Sequence, residues 1–301
     1  MKRIIVLLLL TQSGFLYAQS DLLKMLSDSM GKAKSELVIA TFKGTRVVSA
    51  QSNETLKPNN LDFRIAHRFG NIGSQSGGNI HSLYGLYSSS DIFISFEYGI
   101  SNRLMAGFSS SKMHEELQGL IKYKTLIQTT DDKIPISVTL FANSVITPEK
   151  AFDIRYDKLI YRLSYCYQVI LARKITRDLS IEIIPVLLHR NFVLYQGDEN
   201  DLFSLGAAGR YKFSRSSSII TEYFYTFSKF RRSNKETPYY APFSIGYEVE
   251  TGGHTFSIML SNSPGILEND FIVNTTDAWQ KGGMKLGFSI SRVFALGDHR
   301  K

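Results

Sequence analysis

The sequence predicts an all-β fold, a closed antiparallel up-and-down transmembrane β-barrel of about 12 strands with a short N-terminal helix. Three observations predict it. From Leu61 onward, the chain contains a series of segments in which apolar and polar side chains alternate with the period of a β-strand. The connections between these segments alternate between long and short. In most segments, one face is bulky and apolar or aromatic, whereas the opposite face is small or charged.

The alternating segments have the length that a membrane-spanning strand requires. A tilted transmembrane strand needs about 9–11 residues, and no convincing helix interrupts the series. The predicted strands are 61–69, 91–99, 103–110, 117–125, 134–142, 159–172, 178–190, 201–213, 217–228, 242–250, 254–262 and 283–295.

The connections indicate which end of the barrel is which. Short turns have the sequences ISNR, QTTDDK, RKITR, SRSS and TGGH. Outer-membrane barrels have tight periplasmic turns and longer outer loops, and an even strand number leaves both chain ends on the short-turn side. The longer connections are 70–90, 143–158, 191–200, 229–241 and 263–282, and the weakest case is 111–116.

Periodicity alone does not decide which face meets the surroundings, because a soluble β-sandwich alternates in the same way. Uninterrupted neighbouring strands favour the complete closure that a lipid environment demands. Aromatic residues near strand ends, such as Tyr98, Tyr123 and Tyr211, suit interfacial girdles. A barrel of this size encloses more volume than side chains fill, so we expect a wet polar lumen. Pro185 lies inside a predicted strand, where we expect a bulge or a rim position.

The beginning of the chain predicts export. Lys2 and Arg3 precede the apolar run 4–10, and a plausible cleavage site follows Ala18, so residues 1–18 are predicted to be a signal peptide. The chain would then reach the outer membrane of a Gram-negative envelope.

Residues 19–60 are predicted to be a periplasmic N-terminal segment, followed by the barrel over 61–301. Leu22, Leu23, Leu26 and Met30 share one face of a short amphipathic helix. That helix either caps the barrel mouth or acts as a plug. Residues 37–48 either add a thirteenth strand or thread the lumen.

Five short motifs follow one another along the chain. They are TFKGTR at 41–46, FRIAHRFG at 63–70, FEYGISNRLMAGF at 96–108, KYKTLIQ at 122–128 and SVTLF at 137–141. Together they resemble an uncharacterised outer-membrane β-barrel family, known as a domain of unknown function. The resemblance implies architecture and location but no chemistry. The tail departs from the usual outer-membrane pattern, because Phe294 is followed by ALGDHRK instead of ending the chain.

No motif predicts catalysis, a metal or a cofactor. The sequence contains no nucleophile elbow, phosphate loop or dinucleotide fingerprint. Its six histidines are scattered, and its single cysteine, Cys166, is expected to be an inert packed thiol. The acidic loop 197–203 is expected to be solvated, with calcium binding as the alternative. The basic run 229–235 is expected to be solvated or to contact phosphates of surface glycolipid.

The lumen is the remaining candidate site. The strand assignment points the following charged side chains inward: Arg64, Arg68, Lys122, Lys124, Arg162, Arg210, Lys212, Lys285, Asp62, Glu97, Glu182, Glu222, Glu248 and Glu250. Charged rings can set solute preference in a pore, but opposite charges can also pair and brace the wall. We expect pairing for most of them, with a weak anion preference if water passes.

The function expected from these features is a passive channel or transporter for small polar solutes. The alternative is a non-conducting structural or interaction barrel, and a third hypothesis is a barrel-borne hydrolase. The expected partners are membrane lipid, surface glycolipid and the barrel-assembly machinery. The formal net charge of +8 favours anionic glycolipids or solutes over nucleic acid in an exported chain.

Overall fold

The computed structural model describes residues 35–73, 75, 77–149 and 157–297. Twelve β-strands make up its wall. They are β1 (Asn60–Asn71), β2 (Ser89–Gly99), β3 (Leu104–Ser111), β4 (Leu117–Leu126), β5 (Ser137–Ile146), β6 (Leu163–Lys174), β7 (Leu179–Arg190), β8 (Asp201–Lys212), β9 (Ser217–Phe227), β10 (Phe243–Thr251), β11 (His254–Ser261) and β12 (Lys285–Ala295).

The strands form one closed antiparallel barrel. Each strand pairs with its sequence neighbours, and β1 closes the ring by pairing with both β2 and β12. Ile65 of β1 lies between Ile94 on one side and Ile290 on the other. The predicted fold class, an up-and-down barrel of about 12 strands, is confirmed.

The apolar face of the wall points outward. Phe96 is 46% exposed and Tyr98 is 37% exposed, whereas Glu97 between them is fully buried. The same division recurs at Tyr223 and Glu222, which are 44% and 3% exposed. An apolar belt that encircles the whole molecule suits hydrocarbon, because water-soluble proteins rarely expose contiguous apolar surface of this extent.

Two strands begin three or more residues later than predicted. β5 covers Ser137–Ile146 and not 134–142, and β6 begins at Leu163 and not at 159. Residues Leu159–Arg162 form a 3₁₀ turn before β6. The alternation of the sequence continues through this turn, so the pattern alone did not show where pairing starts.

Pro185 lies in the middle of β7, so the predicted bulge or rim position is wrong. Its partner on the neighbouring strand β8 is Leu205. The β6–β7 register is the same before and after Pro185. The β6–β7 ladder instead omits the pairs between Gln168–Val186 and Leu171–Ile183. A missing N–H donor therefore interrupts the ladder without displacing the strand.

The turns sort onto two ends as predicted, although the predicted short turn QTTDDK lies within a longer connection, 127–136, at the short-turn end. Residues 100–103, 175–178, 213–216 and 252–253 connect strands at the short-turn end. The long connections at the other end carry two small helices, α1 (Lys229–Ser233) and α2 (Glu268–Phe271). Among the described residues, no helix is both long enough and apolar enough to cross a bilayer.

The predicted signal peptide and the predicted amphipathic helix lie outside the described residues. Residues 37–48 do not extend the barrel wall as a thirteenth strand. Leu37 forms an isolated bridge to Thr129 at the short-turn end, and the chain then enters the lumen.

Candidate functional site

A chain segment before β1 occupies the lumen, and we call residues 40–56 the N-terminal plug. The segment folds back on itself, because the Ser52 N–H donates to the Thr45 carbonyl and the Val47 N–H donates to the Ala50 carbonyl, both at 2.9 Å. Nearly all residues from 41 to 53 are buried. The plug therefore enters from the short-turn end, turns inside the barrel and returns to the same end.

The tip of the plug binds a carboxylate of the wall. The backbone N–H groups of Val48, Ser49 and Ala50 donate to the Glu222 carboxylate, with distances to Oε2 of 3.2, 2.9 and 2.8 Å. Successive amides that converge in this way form a small anion-binding concavity. Glu222 of β9 therefore holds the tip through main-chain groups alone.

A lysine of the wall binds carbonyl groups of the plug, whereas Glu222 binds its N–H groups. Lys122 of β4 is fully buried, and its Nζ donates to the carbonyls of Thr45 at 2.8 Å and Ser52 at 3.1 Å. On the same strand, Lys124 Nζ lies 3.1 Å from Glu54 Oε2. Charged side chains of the barrel therefore form hydrogen bonds with both the N–H groups and the carbonyl groups of the plug backbone.

A second segment enters the lumen from the long-loop end, and we call residues 262–284 the inward loop. Its helix α2 is buried, and Glu268 of α2 is fully buried. The Glu268 carboxylate accepts hydrogen bonds from four side chains. The donors are Arg46 Nη1 at 2.9 Å, Gln51 Nε2 at 2.8 Å, Gln118 Nε2 at 3.0 Å and Asn143 Nδ2 at 3.3 Å.

Arg68 joins the two segments a second time. Its Nη2 donates to Ser49 Oγ of the plug at 2.8 Å, and its Nη1 donates to the Ser263 carbonyl of the inward loop at 3.1 Å. The plug and the inward loop thus meet inside the barrel directly, through Arg46 and Gln51, and through Arg68 of β1, which binds both.

Apolar packing holds the inward loop in a way that the sequence did not predict. Phe271 packs edge-on against Phe224 of β9, with ring centroids 5.0 Å apart. Ile272 and Val273 belong to the same buried cluster as Leu188 and other wall residues. The expected wet lining of small and charged residues is therefore incomplete. Large inward-facing apolar side chains are stable there because they contact protein and not water.

The structure buries most of the charged residues that the sequence assigned to the lumen. The buried side chains are Asp62, Arg64, Arg68, Glu97, Lys122, Lys124, Glu182, Arg210, Glu222, Glu248 and Lys285. Lys212 and Glu250 are half-buried near the short-turn end. Arg162 is not on a strand: it lies in the 3₁₀ turn and donates to the carbonyls of Thr147 and Glu149.

Only some of these charges pair with one another. Arg210 binds Glu248 at 2.8 Å and Glu250 at 2.7 Å, and Arg64 lies 3.5 Å from Asp62. Others pair with residues that were not assigned to the lumen, such as Lys285 with Asp277. A third group, including Lys122 and Glu222, contacts the plug.

Glu97 is fully buried, and neither of its carboxylate oxygens has a hydrogen bond within the described part of the chain. The nearest ion-pair partner is Arg46 Nε at 3.9 Å. Glu97 therefore faces Arg46 of the plug without being one of the wall residues that anchor the plug by a hydrogen bond.

Sequence reasoning missed Arg46, Gln51, Gln118, Asn143 and Glu268. The Arg46–Glu268 pair joins positions 222 residues apart, and no local pattern marks either residue. For Gln118 the alternation along β4 was the available signal, because it places this side chain on the inward face of the strand.

The outer loops also differ from expectation. Asp198 of the acidic loop is buried and pairs with Arg190 at 3.0 Å and Arg231 at 2.6 Å. Burial raises the pKa of Glu199, but hydrogen bonds from Ser228 and two backbone N–H groups outweigh it and lower that pKa overall. The expected solvation of the two loops therefore fails at Asp198 and Arg231, whereas Asp201 and Lys229 are exposed as expected.

No described histidine forms a hydrogen bond to a serine hydroxyl. His189 bonds Asp201 and Asn191, His114 bonds Glu149, and His254 bonds Arg292. Within the described ranges, no group of three or more potential ligands could hold a metal ion.

Comparison with known proteins adds a family match. The family model described as "Membrane bound beta barrel domain (DUF5777)" matches residues 42–294. No curated protein matches the sequence.

Among solved structures, the chain is similar to outer-membrane proteins at low identity. The KdgM porin is 9% identical, with 78% of this chain and 99% of that chain covered and a TM-score of 0.47. The NanC porin is 12% identical, with coverages of 77% and 98% and a TM-score of 0.45. An outer membrane channel from Pseudomonas putida F1 is 13% identical, with coverages of 80% and 98% and a TM-score of 0.44.

Proposed function

Because the chain belongs to the DUF5777 family of membrane-bound β-barrel domains, we propose that it is an outer-membrane channel for small polar solutes, shown here in a closed conformation. Closed barrels with an apolar outer belt are typical of the outer membrane, and the predicted signal peptide over 1–18 supports export. Lipid surrounds the belt.

The observation that carries this proposal is the way in which the plug is held. Glu222, Lys122 and Arg68 bind its backbone or its hydroxyl groups. Hydrogen bonds to protein exchange for hydrogen bonds to water at a modest net cost, about 0.5–1.5 kcal/mol each and about 1.5–3 kcal/mol for charged groups. Such contacts can be exchanged for water without dismantling the wall.

The path of the plug also favours release. Its flanks stay at the short-turn end, where the Val38 N–H donates to the Gln128 carbonyl and the Asn59 N–H donates to the Gly99 carbonyl. Withdrawal toward that end would leave every strand pair intact. The conducting path would then run along the polar side of the lumen, past Lys122 and Glu222.

Conductance in planar bilayers tests the proposal. The full chain should conduct rarely, and Glu222→Gln should raise the open probability by about tenfold or more, because the variant loses the charged acceptor of three amides. Glu248→Gln is the matched control, since Glu248 is buried on the next strand but binds Arg210 and not the plug.

Equal conductance of both variants and the full chain would contradict the assigned role of the plug. If folded barrels of the full chain and of Glu222→Gln were both electrically silent, the channel itself would be excluded. Heat-dependent migration on gels shows that the barrels are folded in each case.

One observation favours a second function, a non-conducting structural or interaction barrel. The inward loop places buried apolar side chains inside the lumen, including Leu267, Phe271 and Ile272, and these do not exchange readily with water. In that case the outer loops would bind envelope partners, and the exposed Lys229, Arg232 and Lys235 would face glycolipid phosphates. Insertion by the barrel-assembly machinery belongs to both proposals.

A further inference from the structure

A basic cavity lies at the short-turn end of the lumen, beside the first residues of the plug. Its volume is about 620 Å³, within the range of small-molecule sites. Residues Thr41–Lys43 form one side, and the ends of β6, β7 and β8 form the other. The turns that carry Arg177 and Arg215 border its opening.

The charges around this cavity are unbalanced. The lining contains six basic side chains, Lys43, Lys174, Arg177, Arg210, Lys212 and Arg215, and two acidic ones, Asp178 and Glu250. Glu250 is already occupied, because Lys43 Nζ lies 2.9 Å and Arg210 Nη2 lies 2.7 Å from its carboxylate.

Three of these cations remain available for a ligand. Within the described residues, the side chains of Arg177, Lys212 and Arg215 form no ion pair or hydrogen bond. Arg177 and Arg215 are exposed in neighbouring turns, and Lys212 is half-buried on the inner face of β8. Asp178 is the second acidic residue of the lining, so the basic side chains still outnumber the acidic ones, and such an excess raises the local concentration of anions.

The cavity faces the lumen and not the lipid. Ser180 and Arg210 line it, and both are buried inward-facing residues. A ligand therefore has to arrive from the aqueous side of the short-turn end. The cavity at the opposite end of the lumen has no such excess of cations, because Arg162 and Arg190 line it together with three acidic residues, Glu116, Glu149 and Asp270.

We propose that this basic cavity binds a soluble organic anion with two or more carboxylate or phosphate groups. The two guanidinium groups offer planar forks that match such oxyanions. Lys212, on the inner face of β8, supplies a third positive charge. The site requires only the closed barrel and the plug, so it does not depend on whether the channel conducts.

Calorimetric titration of the full chain with citrate, in neutral detergent at low salt, tests the site. We expect saturable binding to one site that weakens as salt is added. Arg177→Ala/Lys212→Ala/Arg215→Ala should weaken it by about tenfold or more, since several ligand contacts are lost together. If the triple variant does not fold, Arg177→Ala/Arg215→Ala alters only the turns and should still weaken binding.

Controls separate this site from general attraction. Lys57→Ala removes an exposed cation outside the cavity and should leave citrate affinity unchanged, while the uncharged triethyl citrate should not bind. Dihexanoyl phosphatidylglycerol tests a lipid headgroup as the source of the anion. The proposal is overturned if citrate does not bind, if Lys57→Ala weakens binding as much as the triple variant does, or if the ester or only the lipid binds.

Discussion

The two segments that fill the barrel differ in the contacts that hold them. The N-terminal plug is anchored at its main chain by charged wall residues, with Glu222 at the tip and Lys122 at the flank, while Phe42, Val47 and Val48 supply its apolar contacts to the wall. The inward loop also has polar anchors, because Gln118 and Asn143 of the wall bind Glu268, and it adds large apolar contacts, with Phe271 packed against Phe224. Polar anchors exchange for water, whereas apolar packing resists water. The difference identifies the plug as the part that can move and the inward loop as the part that stays.

The largest expected effect is on the apolar anchor. Phe271→Ala should lower the free energy of unfolding by about 3–5 kcal/mol, because the substitution removes a buried ring and leaves a cavity. Thermal unfolding in detergent measures the loss. Conductance should stay low, since the contacts of the plug to Glu222 are untouched.

Ile272→Val serves as the graded control and should cost about 0.5–1.5 kcal/mol. If Phe271→Ala opened the channel while stability was unchanged, the assignment of the two segments would be reversed.

A smaller effect concerns the outer end of the inward loop. Burial raises the pKa of Asp270 to about 6, and burial and the neighbouring Asp270 carboxyl raise the pKa of Glu116 well above its ordinary value. The folded loop therefore binds protons more tightly than the unfolded loop. Its stability is greatest in acid and falls as the pH rises toward about 6 and beyond.

We expect the hydrogen exchange of the amides of residues 266–275 to be about tenfold slower at about pH 5 than at about pH 8, after correction for the pH dependence of exchange in an unstructured peptide. Asp270→Asn should flatten this dependence. Faster corrected exchange in acid would show that the two carboxyls do not share protons in the folded loop.

The wall was predictable because its pattern is local. Alternation records directly which side chains meet hydrocarbon, as Phe96 and Glu97 illustrate. At residues 159–162 the same alternation continues into a 3₁₀ turn, so it does not mark where β6 begins. Hydrogen bonding decides strand ends, and single-sequence periodicity does not report it.

The contents of the lumen were not predictable in the same way. The hydrogen bond from the Ser49 N–H to Glu222 joins residues 173 positions apart, and the donor is a main-chain group that any residue would supply. The sequence left residues 37–48 between a strand and a lumen-threading segment. The alternation of the strands identified Glu222 and Lys122 as inward-facing but gave no information about the groups that they bind.

The most direct test of the account is hydrogen–deuterium exchange of the full chain in detergent micelles, read over residues 45–53. We expect slow exchange at Val48, Ser49 and Ala50, whose amides are bound to a buried carboxylate, and faster exchange at the same amides in Glu222→Gln. Exchange of these amides at the rate of an unstructured peptide, in barrels whose strands remain protected, would contradict the claim that the plug closes the lumen.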